Sequence, residues 1–291
     1  RLVELTVIHD TSDVWFASAR QAAAHAPARA EISDRNGIVL ATNLRSESLY
    51  ANPQIVIDAG DAAKKLRTVL PELDEGSVVA KLDGTAGFIW LRRHLTPDQV
   101  YAINRLGIPG LEFRTEERRV YPLGPIAGHV VGFTDIDGRG IAGIEAQLDE
   151  RLKAGGEPVR LSLDARVQEV VRAELSDGVS SSRAIGGAAM VVDARSGEIV
   201  AMVSLPEFDP NAPQSIDDES RFNRNTLGVY EMGSTFKVFT TAMALDSGTV
   251  TMNDGYDATH PILVSRFVIR DSHAKARWLS VPEIFMYSSN I

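Results

Sequence analysis

The spacing of apolar positions changes character several times along the chain. From Ala30 to Tyr50 apolar and polar residues alternate, with Ile32 before and Ile38, Val39 and Leu40 after Asp34-Arg35-Asn36-Gly37. Asn-Gly tolerates positive φ at both turn positions, so the pattern predicts two strands around a tight turn. Residues 55–70 take helical spacing and stop before Pro71. Thr96-Pro97 supplies an N-cap and a first-turn proline for a further helix, which Gly107 closes. Tyr121 to Gly143 is rich in glycine with short apolar runs, which predicts loops and short strands.

Ala154-Gly155-Gly156-Glu157-Pro158 is the strongest linker signal. After it, Val159 to Leu163 reads as a strand. Asp164 to Ser176 reads as a helix, with Val167, Val170, Val171 and Leu175 on one face and Gly178 just beyond. The β-branched runs 188–193 and 198–204 flank Ala194-Arg195-Ser196-Gly197 and predict a hairpin. Gly233 precedes a helix from Ser234 to about Asp246, capped by Gly248. Phe236, Val238, Phe239, Ala242, Met243 and Leu245 cover most of its circumference, which predicts a buried helix. Ser280 opens a last helix, with Glu283 completing a capping box. The pattern divides the chain into residues 1–157 and residues 158–291, both mixing helix and strand.

Composition narrows the chemistry. The 291 residues exceed one ordinary compact domain, and 44% are apolar, enough for real cores. A net charge of −9 leaves no basic face for nucleic acid or anionic lipid. Without cysteine there is no disulfide, thiolate nucleophile or cysteine-bound metal. The six histidines, among them His129 and His260, lack metal-ligand spacing, so no metal site is expected. Gly138 to Gly143 lacks the strand–loop–lysine context that cradles phosphate. Trp15, Trp90 and Trp278 are too scattered in sequence for a sugar platform. No apolar run approaches the roughly 18 residues of a membrane span. The chain starts at Arg1, and Tyr287 to Ile291 form no evident stop, so further sequence is expected at both ends.

One segment carries candidate chemistry. Ser234 and Lys237 stand three residues apart, on one face of the expected helix. A serine hydroxyl needs an adjacent base, and a lysine amine serves when desolvation disfavours its ammonium form. Unpaired N–H groups at a helix N-terminus can hold an oxyanion. Ser-x-x-Lys alone is a weak pattern that more often describes an N-cap serine followed by a solvated lysine. Ser288-Ser289-Asn290 adds a Ser-x-Asn pattern, in which a serine can relay a proton and an asparagine can orient the lysine and a substrate amide.

These motifs resemble those of class B penicillin-binding proteins, in which Ser-x-x-Lys and Ser-x-Asn precede a Lys-Thr-Gly. The likeness runs from about residue 30 to 291. Asp34-Arg35-Asn36-Gly37 with Leu40-Ala41, then Arg118-Arg119, Tyr121-Pro122, Val131-Gly132-Phe133 and Gly140 to Glu145, resemble the family's N-terminal motifs. Gly186 to Asp193, Ser196 to Met202, Phe208-Asp209-Pro210-Asn211 and Asn223-Arg224-Asn225-Thr226 resemble the approach to the nucleophile. Met232 stands where proline is common in the family. No Lys-Thr-Gly occurs, so the transpeptidase domain is expected to be incomplete at its C-terminus.

The resemblance implies an α+β chain: an elongated pedestal over residues 1–157, then a serine β-lactamase-like transpeptidase domain over 158–291, an antiparallel sheet flanked by helices. It implies Ser234 as nucleophile, Lys237 as general base, and Ser288 and Asn290 as the second catalytic motif. Gly233 and Ser289 would line the substrate, and the Ser234 N–H would form half the oxyanion hole. Arg118, Arg119 and Glu145 are expected to form ion pairs joining pedestal to catalytic domain. The implied reaction cross-links peptidoglycan stem peptides ending in D-Ala-D-Ala, with β-lactams acylating the same serine and no cofactor. Gly228-Val229-Tyr230-Glu231 resembles the division (FtsI-type) branch more than the elongation branch. Also implied are an inner-membrane anchor ahead of Arg1, a periplasmic visible chain, and an FtsW-type SEDS glycosyltransferase with other divisome proteins as partners. A β-lactamase-like hydrolase and a catalytically silent scaffold are the rival readings.

Overall fold

A computed structural model describes residues 28–291. Trp15 and residues 1–27 of the expected pedestal lie outside the described residues. The chain divides into two compact units, one reaching Gly228 and one running from Val229 to Ile291.

In the first unit, β1 (Ile32–Ser33) and β2 (Val39–Ala51) pair antiparallel around the predicted turn. Asp34 organises that turn. Its buried carboxylate accepts the N–H groups of Asn36 and Ile38 at 2.7 and 2.8 Å, and that of Ala165 at 3.0 Å. There follow α1 (Ala59–Val69), α2 (Glu75–Leu82), β3 (Ile89–Leu95), α3 (Pro97–Arg105) and β4 (Leu111–Val120). The far end of β2 pairs with both β3 and β4. Leu49, Leu66, Leu70, Val78, Leu91 and Ile103 form the core between these strands and helices. The α1 helix starts later than residue 55 because the Asp58 carboxylate takes the Asp61 N–H at 2.9 Å, fixing the cap there. At α3 the expected Thr96 cap is present, completed by Gln99 as a capping box.

Between Tyr121 and Gly143 the expected loops are present, but the strands reduce to one bridge between Thr134 and Gly140, beside a 3-10 turn (Gly124–Ala127) and a short helix, α4 (Gly128–Val131); α5 (Gly143–Gln147) and α6 (Asp149–Lys153) follow. Glu145 on α5 is fully buried between two arginines. Arg29 lies 2.5 Å from its Oε2, and Arg119 Nε lies 2.7 Å from its Oε1. The expectation that this network joins pedestal to catalytic domain is corrected, since all its members fall between residues 29 and 149. Among the described residues Arg118 takes no part. Neighbouring residues of a strand face opposite sides, and Arg118 points outward from β4 while Arg119 points in.

The stretch 154–158 is irregular, with Gly155 and Gly156 at φ 70° and 93°. Only Val159–Arg160 continues as a strand, β5, parallel to β1. Leu152, Val159 and Leu163 share a core with Ile32, Tyr121 and Phe208, so packing is continuous from one side of this stretch to the other.

The next helix, α7 (Ala165–Ser182), passes through Gly178 and ends at Arg183 in the left-handed region. An interior glycine costs only about 1 kcal/mol against alanine, which packing overrides. Its inward face is centred on Gln168 rather than on Val170, which is 62% exposed. The Gln168 amide donates to the carbonyls of Ile126 and Met202 and accepts the Met202 N–H at 2.8 Å. This bolts α7 to the predicted hairpin of β6 (Gly187–Val192) and β7 (Ile199–Leu205), which is followed by α8 (Asp218–Arg221).

Asp34, Asp149 and Asp164 are among the carboxylates of this unit held below their ordinary pKa. Burial raises that of Asp34, but the N–H groups of Ala165, Ile38 and Asn36 outweigh it. For Asp149, burial is outweighed by Lys153, the Gly140 N–H and Arg29, and Asp164 is lowered chiefly by Arg166 and Asn36. The unfolded chain therefore binds more protons, and the stabilisation is present above the unfolded values and lost as pH falls through the folded ones. Melting temperature is expected to hold down to about pH 4 and fall below it. Asp34→Asn lowers it at neutral pH and flattens the acid dependence.

The second unit begins with a 3-10 turn at Gly233–Phe236 that runs into α9 (Lys237–Asp246). Then come β8 (Gly255–Asp257), a hairpin of β9 (Ile262–Val264) and β10 (Phe267–Ile269), β11 (Trp278–Ser280) paired with β8, and α10 (Val281–Met286). Ala258, Leu279 and Val281 are buried. The expectation of a buried α9 is corrected: Phe236, Val238, Phe239 and Met243 are 51–67% exposed. The elements that pack most on it are the 3-10 turn and the Val281–Met286 helix, which leaves most of its apolar circumference uncovered. Among the described residues no helix is long and apolar enough to cross a membrane.

Candidate active site

All six residues singled out from the sequence lie in the second unit. Gly233 opens the 3-10 turn at φ 53°, a left-handed conformation that side chains with a Cβ adopt at a cost. A Cβ there would meet nothing within 4 Å, so the backbone angle rather than space calls for glycine. Ser234 follows in the same turn and is exposed. The α-helix proper starts only at Lys237, so the serine sits in the tighter turn ahead of it.

Lys237 is half-buried and reaches across to the Ser-x-Asn segment. Its Nζ donates to Ser288 O at 2.6 Å, Asn290 Oδ1 at 2.7 Å and Ser288 Oγ at 3.3 Å. Three acceptors thus converge on Nζ. Among the described residues no hydrogen bond joins Lys237 to Ser234. The lysine therefore faces the second motif in this arrangement, with the serine one turn back along the chain.

The geometry of the second motif follows from how α10 ends. The Ser288 N–H returns to Phe285 O at 3.1 Å and the Ser289 N–H to Ile284 O at 3.0 Å. That pair of bonds is a Schellman ending, whose left-handed position glycine usually fills. Here Ser288 fills it, at φ 51°. The strain, about 1–2 kcal/mol for a residue with a Cβ, accompanies a conformation in which both oxygens of Ser288 reach the lysine.

A residue that sequence reasoning missed anchors this turn. Ser289, buried, donates its hydroxyl to Asp271 Oδ2 at 2.8 Å, and the Asn290 N–H donates to Asp271 Oδ1 at 2.5 Å. Next to it, Arg270 O accepts the Asn290 Nδ2 at 2.8 Å. Burial raises the Asp271 pKa, but the Asn290 N–H, the Ser289 hydroxyl, the Ile291 N–H and the Lys237 charge together hold it below the usual carboxylate range. Ser289 thus points to Asp271, a supporting position rather than the substrate-lining one expected for it. Among the described residues no group of three His, Asp or Glu side chains could hold a metal.

Comparison with known proteins gives the family. Residues 187–291 match the penicillin-binding protein transpeptidase domain and residues 24–180 the penicillin-binding protein dimerisation domain. The chain belongs to the class B penicillin-binding proteins. It is 40% identical to the probable peptidoglycan D,D-transpeptidase FtsI of Caulobacter vibrioides, over 91% of this chain and 45% of that relative. It is 32% identical to the peptidoglycan D,D-transpeptidase FtsI of Escherichia coli, over 90% of this chain and 50% of that relative. The fold resembles a peptidoglycan synthetase from Bifidobacterium adolescentis, with a TM-score of 0.64, 22% identity, and coverage of 91% of this chain and 58% of the other. The chain spans about half the length of the curated relatives it matches. Both the α+β class and the order, dimerisation domain before transpeptidase domain, agree with the sequence reading.

Proposed function

We propose that the protein carrying this chain is a division-type peptidoglycan D,D-transpeptidase whose acylated nucleophile is Ser234. The observation that carries the reading is the reach of Lys237 from the Ser234 turn to Ser288 and Asn290. It brings the turn that carries Ser234 and the Ser-x-Asn segment to one place.

In this reading Lys237, as the free amine, takes the proton of Ser234 as Oγ attacks the penultimate D-Ala carbonyl. The oxyanion is met by N–H groups at the start of the 3-10 turn, Ser234's own among them. Once protonated, Lys237 is held by Ser288 and Asn290 as described above. Its proton passes through Ser288 Oγ to the departing D-Ala nitrogen while the C–N bond breaks, leaving a Ser234 ester. An amine from a second stem peptide then attacks the ester. It gives up its proton along the same path, Ser234 regains its own, and a new amide links the two peptides. A β-lactam carbonyl would enter the same first step and stop at the ester.

The reading extends to residues 1–157 as the pedestal and 158–291 as the front of the catalytic domain. It puts the chain on the periplasmic side of the inner membrane, with an FtsW-type glycosyltransferase as partner. Its support is likeness to the division-type relatives. The test uses the full-length protein with a peptide ending in D-Ala-D-Ala and an acceptor amine. Equal amounts of released D-Ala and cross-linked product are expected, and none of either from Ser234→Ala. Release without cross-linking would favour a hydrolase, and no release would favour a scaffold.

A further inference from the structure

We infer that Asp271 is a positioning residue of the acylation step: it clamps the Ser289 hydroxyl and the Asn290 N–H and so fixes the acceptors that Lys237 Nζ meets. The inference rests on the transpeptidase reading above.

Three observations combine. The two carboxylate oxygens of Asp271 are used separately, Oδ2 for the Ser289 hydroxyl and Oδ1 for the Asn290 N–H. The Ser289 hydroxyl in turn accepts the Ile291 N–H at 3.2 Å, so one side chain governs three consecutive residues. The adjacent Arg270 carbonyl can only accept, so it turns the Asn290 NH2 toward itself and leaves Oδ1 for the lysine. The segment that holds the motif is thus the two residues directly after β10.

The clamp matters because its target is strained. Ser288 stands in the left-handed conformation without glycine's freedom, and relaxation would swing its carbonyl and hydroxyl off Nζ. Asp271 holds the next two residues and opposes that relaxation. Among the described residues no hydrogen bond joins Asp271 to Lys237, so beyond its charge Asp271 positions the lysine's acceptors through Ser289 and Asn290. A displacement of about 1 Å in a catalytic group costs up to roughly 100-fold in rate.

Asp271→Ala is therefore expected to slow the first-order acylation constant for benzylpenicillin roughly 10- to 100-fold. The noncovalent dissociation constant and the final adduct stoichiometry should stay within about twofold of wild type, because folding and the pocket are retained. Asp271→Asn should recover most of the rate. Its Oδ1 can still take the Asn290 N–H, and its NH2 can donate to the Ser289 hydroxyl. Ser289→Ala removes one of the two bonds and should give a smaller loss, which serves if Asp271→Ala fails to fold. The inference is overturned if the acylation constant of folded Asp271→Ala, or of Ser289→Ala should the former not fold, equals that of wild type. It is equally overturned if the defect appears only as a reduced labelled fraction, the mark of a purely structural role. If wild type itself forms no adduct, the transpeptidase reading fails and takes this one with it; an active wild type with an indifferent Asp271 sinks this one alone.

Discussion

Lys237→Met slows β-lactam acylation of the full-length protein by roughly 100- to 10,000-fold, the range general-base catalysis supplies. Methionine keeps most of the length of the stem and removes the amine. Ser234 stays in its 3-10 turn, set by Gly233 and not by the lysine. What disappears is the group that bridges the two motifs, because Ser288 O, Ser288 Oγ and Asn290 Oδ1 lose their common donor. The loss belongs in the acylation rate constant rather than in binding. Lys237 is not buried, so the fold should tolerate the change and the variant should melt near wild type. Stopped-flow acylation with a reporter cephalosporin checks this. A loss of less than about tenfold would mean that another group takes the serine proton.

The second large effect is on stability. Glu145→Ala destabilises the first unit by about 3–5 kcal/mol, the usual cost of breaking a buried ion pair from one side. The Glu145 side chain is fully buried, and its arginine partners expose only 7% and 3% of theirs. Removing the carboxylate leaves two guanidinium groups with little water to reach. Among the described residues Arg119 Nη2 already lacks a partner, so the site offers no spare acceptor there. Arg29 keeps its contact with Asp149 at 2.8 Å, which limits the damage on one side. The first thermal transition should drop on the order of 10 °C. Glu145→Gln should fall between, since an amide oxygen still accepts one bond but carries no charge. A change below about 1 kcal/mol would show the network to be dispensable.

Local signals in the sequence were good guides where the chain itself makes the structure. The Asn-Gly turn, the Thr96 cap, the β6–β7 hairpin and the α10 capping box depend on residues within a few positions of each other, and all are found. Strands β3 and β4 went unread because they are defined by pairing with a distant β2 rather than by their own alternation. Likewise α7 outran its expected end, as packing against the hairpin outweighs one glycine. Burial of α9 was the clearest misreading: apolar periodicity states what a helix can bury, not whether a partner of sufficient size is present.

The candidate site divides in the same way. The meeting of Lys237 with Ser288 and Asn290 was legible because Ser-x-x-Lys and Ser-x-Asn are a chemical pattern, with Ser234 one turn ahead of the lysine. Asp271 was not. It lies in a polar stretch, Asp271-Ser272-His273, with no periodicity, and its link to Ser289 and Asn290 exists only once the chain has folded back. The left-handed turn at Ser288 was equally invisible, since sequence rules assign that conformation to glycine or asparagine.

The most direct measurement is peptide mapping by mass spectrometry of the full-length protein after reaction with benzylpenicillin. The account predicts one penicilloyl group per chain, carried on the peptide containing Ser234, and no adduct in Ser234→Ala. A full yield of adduct on any other residue, or an unmodified Ser234 in protein that is folded and otherwise intact, would contradict it.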